Sequence, residues 1–353
     1  MVLEKTKNAF IELGKFLSQF KENQNIKNSD VLFNDLFFDD FMNLIENQKH
    51  YNGWFTESEV NFSVQSWADA LTEENLDKWL SAYDIPEREP KTIGLILAGN
   101  IPLVGFHDFL SVLISGHKAL VKTSSNDQKL LPFLAEYLIK TELTLENRIE
   151  FTDGKIEQFD AIIATGSNNT ARYFEYYFKD KPNIIRKNRN SVAVLNGEES
   201  KEDLIGLGKD IFTYFGLGCR NVSKLFVPKD YDFEKFFKAM YEYREIINNQ
   251  KYINNYDYNK AVFLMSNFLV LDNEFLVLKE DTSYSSPISA VFYEYYSDLE
   301  TLKNRLNQDN ELIQCIVSNN LIGNSVGFGQ TQHPQLWDYA DNVDTIEFLI
   351  SIS

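Results

Sequence analysis

The chain has 353 residues, of which 44% are hydrophobic and 14% aromatic, and its formal net charge is −18. This apolar content excludes wholesale disorder, and the length fits two domains. With only two cysteines, the chain has neither a disulfide scaffold nor a cysteine-rich zinc site, and we predict no metal. The acidic charge argues against a nucleic-acid partner, because phosphate binding needs clustered Lys and Arg.

Residues 1 to about 85 are predicted to be helical. Apolar side chains at Phe10, Leu13 and Leu17 recur at helical spacing, and Thr56 with Glu59 has the spacing of a capping box. The N-terminal residues lack the apolar stretch and cleavage site of a signal peptide. We therefore assign residues 1–90 to a helical N-terminal region that packs on a cofactor domain, and we expect a cytoplasmic protein.

Residues 91–196 alternate between strand and helix patterns. The predicted strands cover 92–97, 119–122, 160–164 and 191–195, and the predicted helices cover 102–115, 127–140 and 168–178. Polar residues interrupt the apolar stretch 93–121, so we predict no membrane span. The alternation indicates a parallel sheet with helices on both faces, and we assign 91–196 to a Rossmann-like nucleotide-binding domain.

The second half of the chain also alternates between helix and strand. A helix is predicted over 201–215 and a strand over 224–227, with a glycine-rich loop between them. We assign 197–325 to a catalytic domain, and we expect 326–353 to return to the active-site cleft or to a subunit interface. The predicted fold class is therefore α/β, with two α/β domains and a helical N-terminal region.

The glycine-rich loop contains Cys219, which follows Gly216 and Gly218. Glycines leave room around a nucleophile, and a thiolate suits attack on a thioester or aldehyde carbonyl. The other interpretation is a small buried cysteine, which we assign to Cys315 in its apolar, strand-like run. For Cys219 the two interpretations are about equally weighted from the residues alone.

Polar residues follow the first three predicted strands of the nucleotide-binding domain, at the end where ligands of parallel α/β sheets bind. Asn100 follows the first strand, where its amide would either donate to an oxyanion or close a turn. The candidates for nucleotide contacts are Lys122, Ser124 and Ser125 after the second strand and Gly166 and Ser167 after the third.

Taken in order, Asn100, Lys122, Gly166-Ser167 and Cys219 resemble the aldehyde dehydrogenase superfamily. Three blocks narrow the resemblance to the acyl-CoA reductase family typified by LuxC. They are GLILAGNIP at 94–102, FGLGCRNVS at 215–223 and GQTQHP at 329–334. The resemblance extends over roughly residues 90–353.

This resemblance implies an acyl-thioester reductase. Cys219 would attack an acyl-CoA or acyl-carrier thioester, and Asn100 together with the Cys219 backbone N–H would hold the oxyanion. Hydride from NADPH would then reduce the acyl-enzyme to the aldehyde.

The family positions also imply the nucleotide contacts. Lys122 and Ser125 would contact the adenosine ribose, and we include the neighbouring Ser124 among the cofactor-binding residues. Gly166 and Ser167 would contact the diphosphate. Ser125 stands where many NAD-specific relatives carry Glu, which favours NADPH and leaves NADH as the alternative.

Two departures from the superfamily pattern keep other functions open. Residues 186–191 lack the carboxylate that acts as base for hydrolysis, which favours reduction or acyl transfer. The block whose glutamate contacts the nicotinamide ribose in relatives is present here only as SYSSP at 283–287. The alternative function is therefore a cysteine-dependent acyltransferase or thioesterase without redox chemistry. A non-catalytic scaffold is the third hypothesis. The sequence also leaves a homo-oligomer open.

NADPH and CoA are polyanions, so an acidic chain that binds them needs a local positive region. The candidate cations are Lys122, Arg186, Lys187, Arg189 and Arg220.

Overall fold

The computed structural model describes residues 2–21 and 25–352. The α-helices are α1 Val2–Leu17, α2 Asn34–Tyr51, α3 Glu57–Ala70, α4 Glu73–Leu80, α5 Phe106–Ile114, α6 Leu130–Thr141, α7 Asn168–Phe178, α8 Lys201–Phe212, α9 Phe233–Met240, α10 Gln250–Met265, α11 Leu299–Gln308 and α12 Thr345–Ser351. Short 3-10 helices cover Leu143–Arg148, Thr213–Gly216, Tyr241–Asn248, Asn310–Leu312 and Ala340–Asn342. Within the described ranges, every helix is too short or too polar to span a bilayer.

The strands form two sheets. They are β1 Thr92–Ile96, β2 Lys118–Lys122, β3 Ile149–Phe151, β4 Ala161–Thr165, β5 Asn183–Arg186, β6 Asn190–Val194, β7 Val222–Pro228, β8 Val270–Asp272, β9 Val277–Glu280, β10 Ala290–Tyr296 and β11 Ile313–Val317. The chain divides into two compact units, residues 1–187 with 335–353, and residues 188–334. The predicted domain ranges themselves stay predictions.

The first unit contains a five-stranded sheet in the order β3-β2-β1-β4-β5, and all of its strand pairs are parallel. Ile96 at the end of β1 lies opposite both Lys122 at the end of β2 and Ala164 near the end of β4. The carboxyl ends of these three strands are therefore aligned along one edge of the sheet.

Helices α1–α4 confirm the predicted helical N-terminal region for the described residues. Their apolar faces and α5 share one core, in which Phe10, Phe16, Phe20 and Phe41 are fully buried. The Thr56 side chain accepts a hydrogen bond from the backbone N–H of Glu59 at 3.4 Å, which confirms Thr56 as the cap of α3.

The last residues of the chain belong to the core of this first unit. Ile346 and Leu349 on α12 are fully buried there. Nε2 of His117 lies 3.0 Å from the carbonyl oxygen of Leu349, and the indole N–H of Trp79 donates to the Tyr339 hydroxyl at 2.7 Å. The return of this segment to a cleft or an interface stays a prediction.

The second unit contains a six-stranded sheet in the order β11-β6-β7-β10-β9-β8, in which only the β8–β9 pair is antiparallel. The strand predicted over 191–195 is β6, and it pairs with β7 and β11. Its expected place in the first sheet is therefore wrong, and β5 takes that place beside β4. The α/β fold class is confirmed by both units.

Two predicted helices begin later than expected. The helix expected over 102–115 begins at Phe106, because Leu103 is left-handed at φ 57°. The helix expected over 127–140 begins at Leu130. There the Asp127 N–H donates to the Ser124 carbonyl at 3.0 Å, which closes a turn before the helix.

Candidate active site

The structure brings the predicted nucleotide residues and Asn100 to one edge of the first sheet. Asn100 follows β1, Lys122 ends β2, and Gly166 follows β4, all at the aligned carboxyl ends. Gly99 makes the approach of two of these loops possible, because a Cβ at that position would lie 2.6 Å from the Ser124 side chain. The edge is therefore a compact set of loops, and the role of each residue in binding stays a prediction.

The loop after β4 leads directly into the N-terminus of α7. The Ser167 side chain accepts from the Thr170 backbone N–H at 3.3 Å and so caps the helix. A Cβ at Gly166 would lie 3.0 Å from the side chains of Thr170 and Phe174, so only glycine fits without a shift. Backbone N–H groups at a helix N-terminus favour anions, so this turn suits a phosphate.

Cys219 lies in the second unit, on the loop between the 3-10 helix that ends at Gly216 and β7. Its side chain is exposed and forms no disulfide. The backbone just before it is left-handed at Tyr214, Phe215 and Gly216, with φ of 54°, 57° and 77°. A left-handed conformation costs a non-glycine residue about 1–2 kcal/mol, so surrounding contacts must hold this turn in place.

Asn221 supplies much of that restraint. The backbone N–H of Gly218 donates to its side-chain oxygen at 2.7 Å. Its amide nitrogen donates to the carbonyls of Asp210 at 3.0 Å and Thr213 at 2.8 Å. This buried side chain therefore ties the Cys219 loop to the C-terminal end of α8.

A second contact holds the Cys219 backbone from the sheet. The Ser191 hydroxyl donates to the Cys219 carbonyl at 3.0 Å and lies 2.9 Å from the Cys315 sulfur. Because the single hydroxyl hydrogen goes to Cys219, the Cys315 thiol donates in the second contact. Burial raises the pKa of Cys315, which keeps it a thiol and sets it apart from an exposed nucleophile.

The block at 329–334 packs against the same helix. The buried Asp210 carboxylate accepts from the Gly329 N–H at 2.7 Å, the Thr331 N–H at 3.0 Å and the Thr331 hydroxyl at 2.8 Å. Next to it, Nζ of Lys209 lies 3.0 Å from Nε2 of His333. The α8 C-terminus thus anchors two of the three sequence blocks that carry the family resemblance.

Several of the candidate cations for a polyanionic ligand are bonded to other groups of the protein. Arg186 is buried, and its Nη2 pairs with Asp108 at 2.6 Å, so its expected role in ligand binding is wrong. Lys187 pairs with Glu175 at 2.6 Å, and Arg189 donates to backbone carbonyls of its own unit. Lys122 lies at the sheet edge, where Nζ donates to the Gly154 carbonyl at 2.8 Å.

Sequence reasoning missed the residues that hold the two loops. Asn221, Ser191 and Asp210 position the Cys219 loop or its neighbour, and Asp127 contacts the loop of Asn100. Asn221 lies inside the FGLGCRNVS block, so its position two residues after the cysteine is the one local signal available. The other three act through partners distant in sequence.

The sequence matches the family described as Acyl-CoA reductase (LuxC) over residues 54–249, more than half of the chain. It is also 23% identical over 182 residues to the long-chain acyl-protein thioester reductase of Aliivibrio fischeri. That alignment covers 44% of this chain and 36% of the relative, so the match spans about a third of the length of that protein.

Solved structures show the same fold at low sequence identity. Aldehyde dehydrogenase 21 from Physcomitrella patens, in complex with the reaction product succinate, has a TM-score of 0.68 at 11% identity, covering 99% of this chain and 84% of that one. An indole-3-acetaldehyde dehydrogenase in complex with NAD⁺ has a TM-score of 0.60 at 12% identity, covering 86% and 69%. The predicted aldehyde-dehydrogenase-like fold is therefore confirmed.

Proposed function

The chain belongs to the acyl-CoA reductase (LuxC) family, and from that membership we propose that it reduces an acyl-CoA or acyl-carrier thioester to the aldehyde. The observation that carries the proposal is the exposed Cys219 on a loop that Asn221 fixes to α8. A thiolate in such a position can attack the thioester carbonyl carbon. The carbon–sulfur bond to the carrier then breaks, and the carrier leaves as a thiol.

In this proposal Asn100 donates its side-chain amide to the oxyanion that forms during the attack. Removing one such donor costs other enzymes about 10²- to 10³-fold in kcat, so the role has a large expected effect. The chain offers no carboxylate in 186–191 to activate water, which protects the acyl-enzyme from hydrolysis. The acyl group therefore persists long enough to be reduced.

The residues at the edge of the first sheet fit a nicotinamide dinucleotide. The N-terminus of α7 with Gly166 and Ser167 suits the diphosphate, and Lys122 with Ser124 and Ser125 suits the adenosine ribose. When bound, the nicotinamide would supply the hydride that reduces the acyl group. NADPH is preferred in this proposal, because Ser125 places no carboxylate against a 2′-phosphate.

The reductase is tested by mixing the chain with a long-chain acyl-CoA and NADPH and following nucleotide oxidation and aldehyde formation. Thiol release without nucleotide is measured in parallel, since acylation of Cys219 frees one CoA per active chain. Cys219→Ala should abolish both signals. Cys315→Ala is the matched control, because it removes the other thiol of the chain and should keep most of the turnover.

Three results would overturn the proposal or part of it. Turnover that survives in Cys219→Ala would exclude the cysteine mechanism. With NADPH present, thiol release beyond one CoA per active chain without nucleotide oxidation would favour the acyltransferase or thioesterase instead. Ser125→Glu should shift the kcat/KM preference from NADPH towards NADH, and an unchanged preference would remove Ser125 from the cofactor assignment.

A further inference from the structure

Asp127 is a buried carboxylate at the start of α6, with 7% of its surface exposed. Its Oδ2 accepts from the Leu103 N–H at 3.0 Å, and it also accepts from the Leu130 N–H. Its Oδ1 is buried without a hydrogen-bond partner among the described residues. Burying a carboxylate with one unpaired oxygen costs free energy, so the presence of Asp127 at this position needs an explanation.

The Leu103 bond joins two loops that carry candidate site residues. The first, which we name the Asn100 loop, comprises residues 99–105, and the second, the nucleotide loop, comprises residues 123–129. Leu103 is left-handed at φ 57°, a conformation that leucine adopts rarely and that directs its N–H to Asp127. The bond to Asp127 therefore contributes to holding this strained turn.

Each loop also has supports of its own. In the Asn100 loop, the Ser63 hydroxyl donates to the Pro102 carbonyl at 2.9 Å. In the nucleotide loop, the Asn126 N–H donates to the Ser124 hydroxyl at 3.2 Å. Between the loops, Gly99 packs directly on Ser124, a contact that supplies no hydrogen bond. Asp127 therefore supplies a polar link that fixes one loop relative to the other.

We propose that Asp127 is a positioning residue that holds the Asn100 loop against the nucleotide loop and so aims the Asn100 amide during acylation. This inference rests on the proposed role of Asn100. As a positioning residue, Asp127 would touch neither substrate nor cofactor and would act only through Leu103 and the loop that follows β1. Its removal should therefore lower kcat more than it changes KM for the nucleotide.

The test is a double-mutant cycle between Asp127→Ala and Asn100→Ala, with the rate of thiol release from acyl-CoA as the readout. This rate needs Cys219 and the oxyanion donor but no nucleotide. Asp127→Ala should lower it by about 10-fold or more, because misplacing an oriented group costs up to about 10²-fold. In the Asn100→Ala background the same change should cost less than about 3-fold, since the donor is already absent.

Two further variants separate positioning from folding. Asp127→Asn keeps an acceptor for the Leu103 N–H and should restore thiol release to within about 3-fold of the unmodified chain. Asp298→Ala is a control for the loss of a carboxylate that caps a helix, because the exposed Asp298 accepts from the Thr301 N–H at 2.7 Å in the second unit and its loss should leave the rate unchanged.

The outcomes distinguish this inference from the proposed function. Equal losses in both backgrounds of the cycle, or an unchanged rate in Asp127→Ala, would overturn the positioning role. Thiol release without NADPH oxidation would overturn the reductase while the cycle still decides on Asp127. A complete absence of thiol release in the unmodified chain would overturn both.

Discussion

At the scale of single residues, the buried Asn221 side chain holds the Cys219 loop. It accepts from the Gly218 N–H and donates to the carbonyls of Asp210 and Thr213. Cys219 is a candidate nucleophile because Gly216 and Gly218 precede it and its block resembles a known family. The partners of Asn221 lie up to eleven residues earlier, so the sequence does not show which groups it holds.

Asn221→Ala should both destabilise the chain and slow acylation. Loss of the side chain leaves the Gly218 N–H and the carbonyls of Asp210 and Thr213 without this partner. Unsatisfied buried polar groups cost about 1–3 kcal/mol each, so for three such groups we expect a loss of at least about 3 kcal/mol in urea unfolding. Thiol release should fall at least about 10-fold, because the loop no longer fixes Cys219.

The control for this prediction is Asn259→Ala, since Asn259 is buried in the same unit and donates to the Ile288 carbonyl at 3.0 Å. That variant should lose stability without slowing thiol release. If both variants reduce the rate equally, Asn221 has no special relation to Cys219.

Asp127 also gives the free energy of unfolding a defined pH dependence. Burial raises its pKa from 3.8 to about 6, so the folded chain takes up a proton before the unfolded chain does as the pH falls. Its contribution is most favourable below pH 4 and is lost as the pH rises through 6. A difference of this size between the pKa of the folded and the unfolded chain corresponds to roughly 3 kcal/mol.

Asp127→Asn removes this titration and keeps the acceptor for Leu103. Its stability relative to the unmodified chain should therefore be greatest at pH 7 and should decrease by up to roughly 3 kcal/mol towards pH 4. Chemical denaturation at a series of pH values measures this difference. A difference that is constant or grows towards acid pH would show that Asp127 does not titrate as burial demands.

At the scale of elements, the length of a strand decides whether the sequence predicts it. The predicted strands β1, β2 and β4 have five residues each and are dominated by apolar side chains. The sequence interpretation misses β3 and β5, which have three and four residues and include polar side chains. Short strands at sheet edges bury one face incompletely, so hydrophobic periodicity detects them poorly.

Arg186 is a candidate for ligand binding because of its charge, but its side chain joins elements of the fold. It ends β5, and its guanidinium pairs with Asp108 on α5 and donates to the Thr345 hydroxyl at the start of α12 at 3.0 Å. Removing one partner of a buried pair leaves an uncompensated charge and costs about 3–5 kcal/mol. Arg186→Met should therefore lower the free energy of unfolding by about that amount.

Lys187→Met is the matched surface change, because the Lys187–Glu175 pair is half exposed and such pairs contribute at most about 1 kcal/mol. Urea unfolding compares the two variants. If Arg186→Met keeps full stability and instead weakens NADPH binding, the assignment of Arg186 to the fold would be wrong and the nucleotide role would return.

At the scale of the whole molecule, the sequence predicts which residues form strands better than it predicts which strands pair. The strand pattern at 190–194 is plain, yet its place beside β7 and β11 depends on pairing with residues as distant as 313–317. A regular alternation of strands and helices indicates parallel sheets and does not say where one sheet ends and the next begins. Only a few residues separate β5, in the first sheet, from β6, in the second, so the sequence pattern predicts one continuous sheet.

The net charge of −18 gives the last prediction. Arg186 and Lys187 are neutralised by Asp108 and Glu175, so at long range the acidic surface should dominate the approach of NADPH. Raising the ionic strength from about 0.01 M to 0.15 M shortens the Debye length from roughly 30 Å to 8 Å. The association rate constant should therefore rise several-fold in stopped-flow fluorescence, opposite to the behaviour of a nucleic-acid binder.

Lys122→Met is the diagnostic variant, because it removes a cation at the edge of the first sheet. It should slow association at both ionic strengths and steepen the increase with salt, since repulsion then acts without local compensation. An association rate that falls with salt in the unmodified chain would mean that local cations govern the encounter. In that case Lys122→Met should abolish the fall, which would place the dominant attraction at the carboxyl edge of β2.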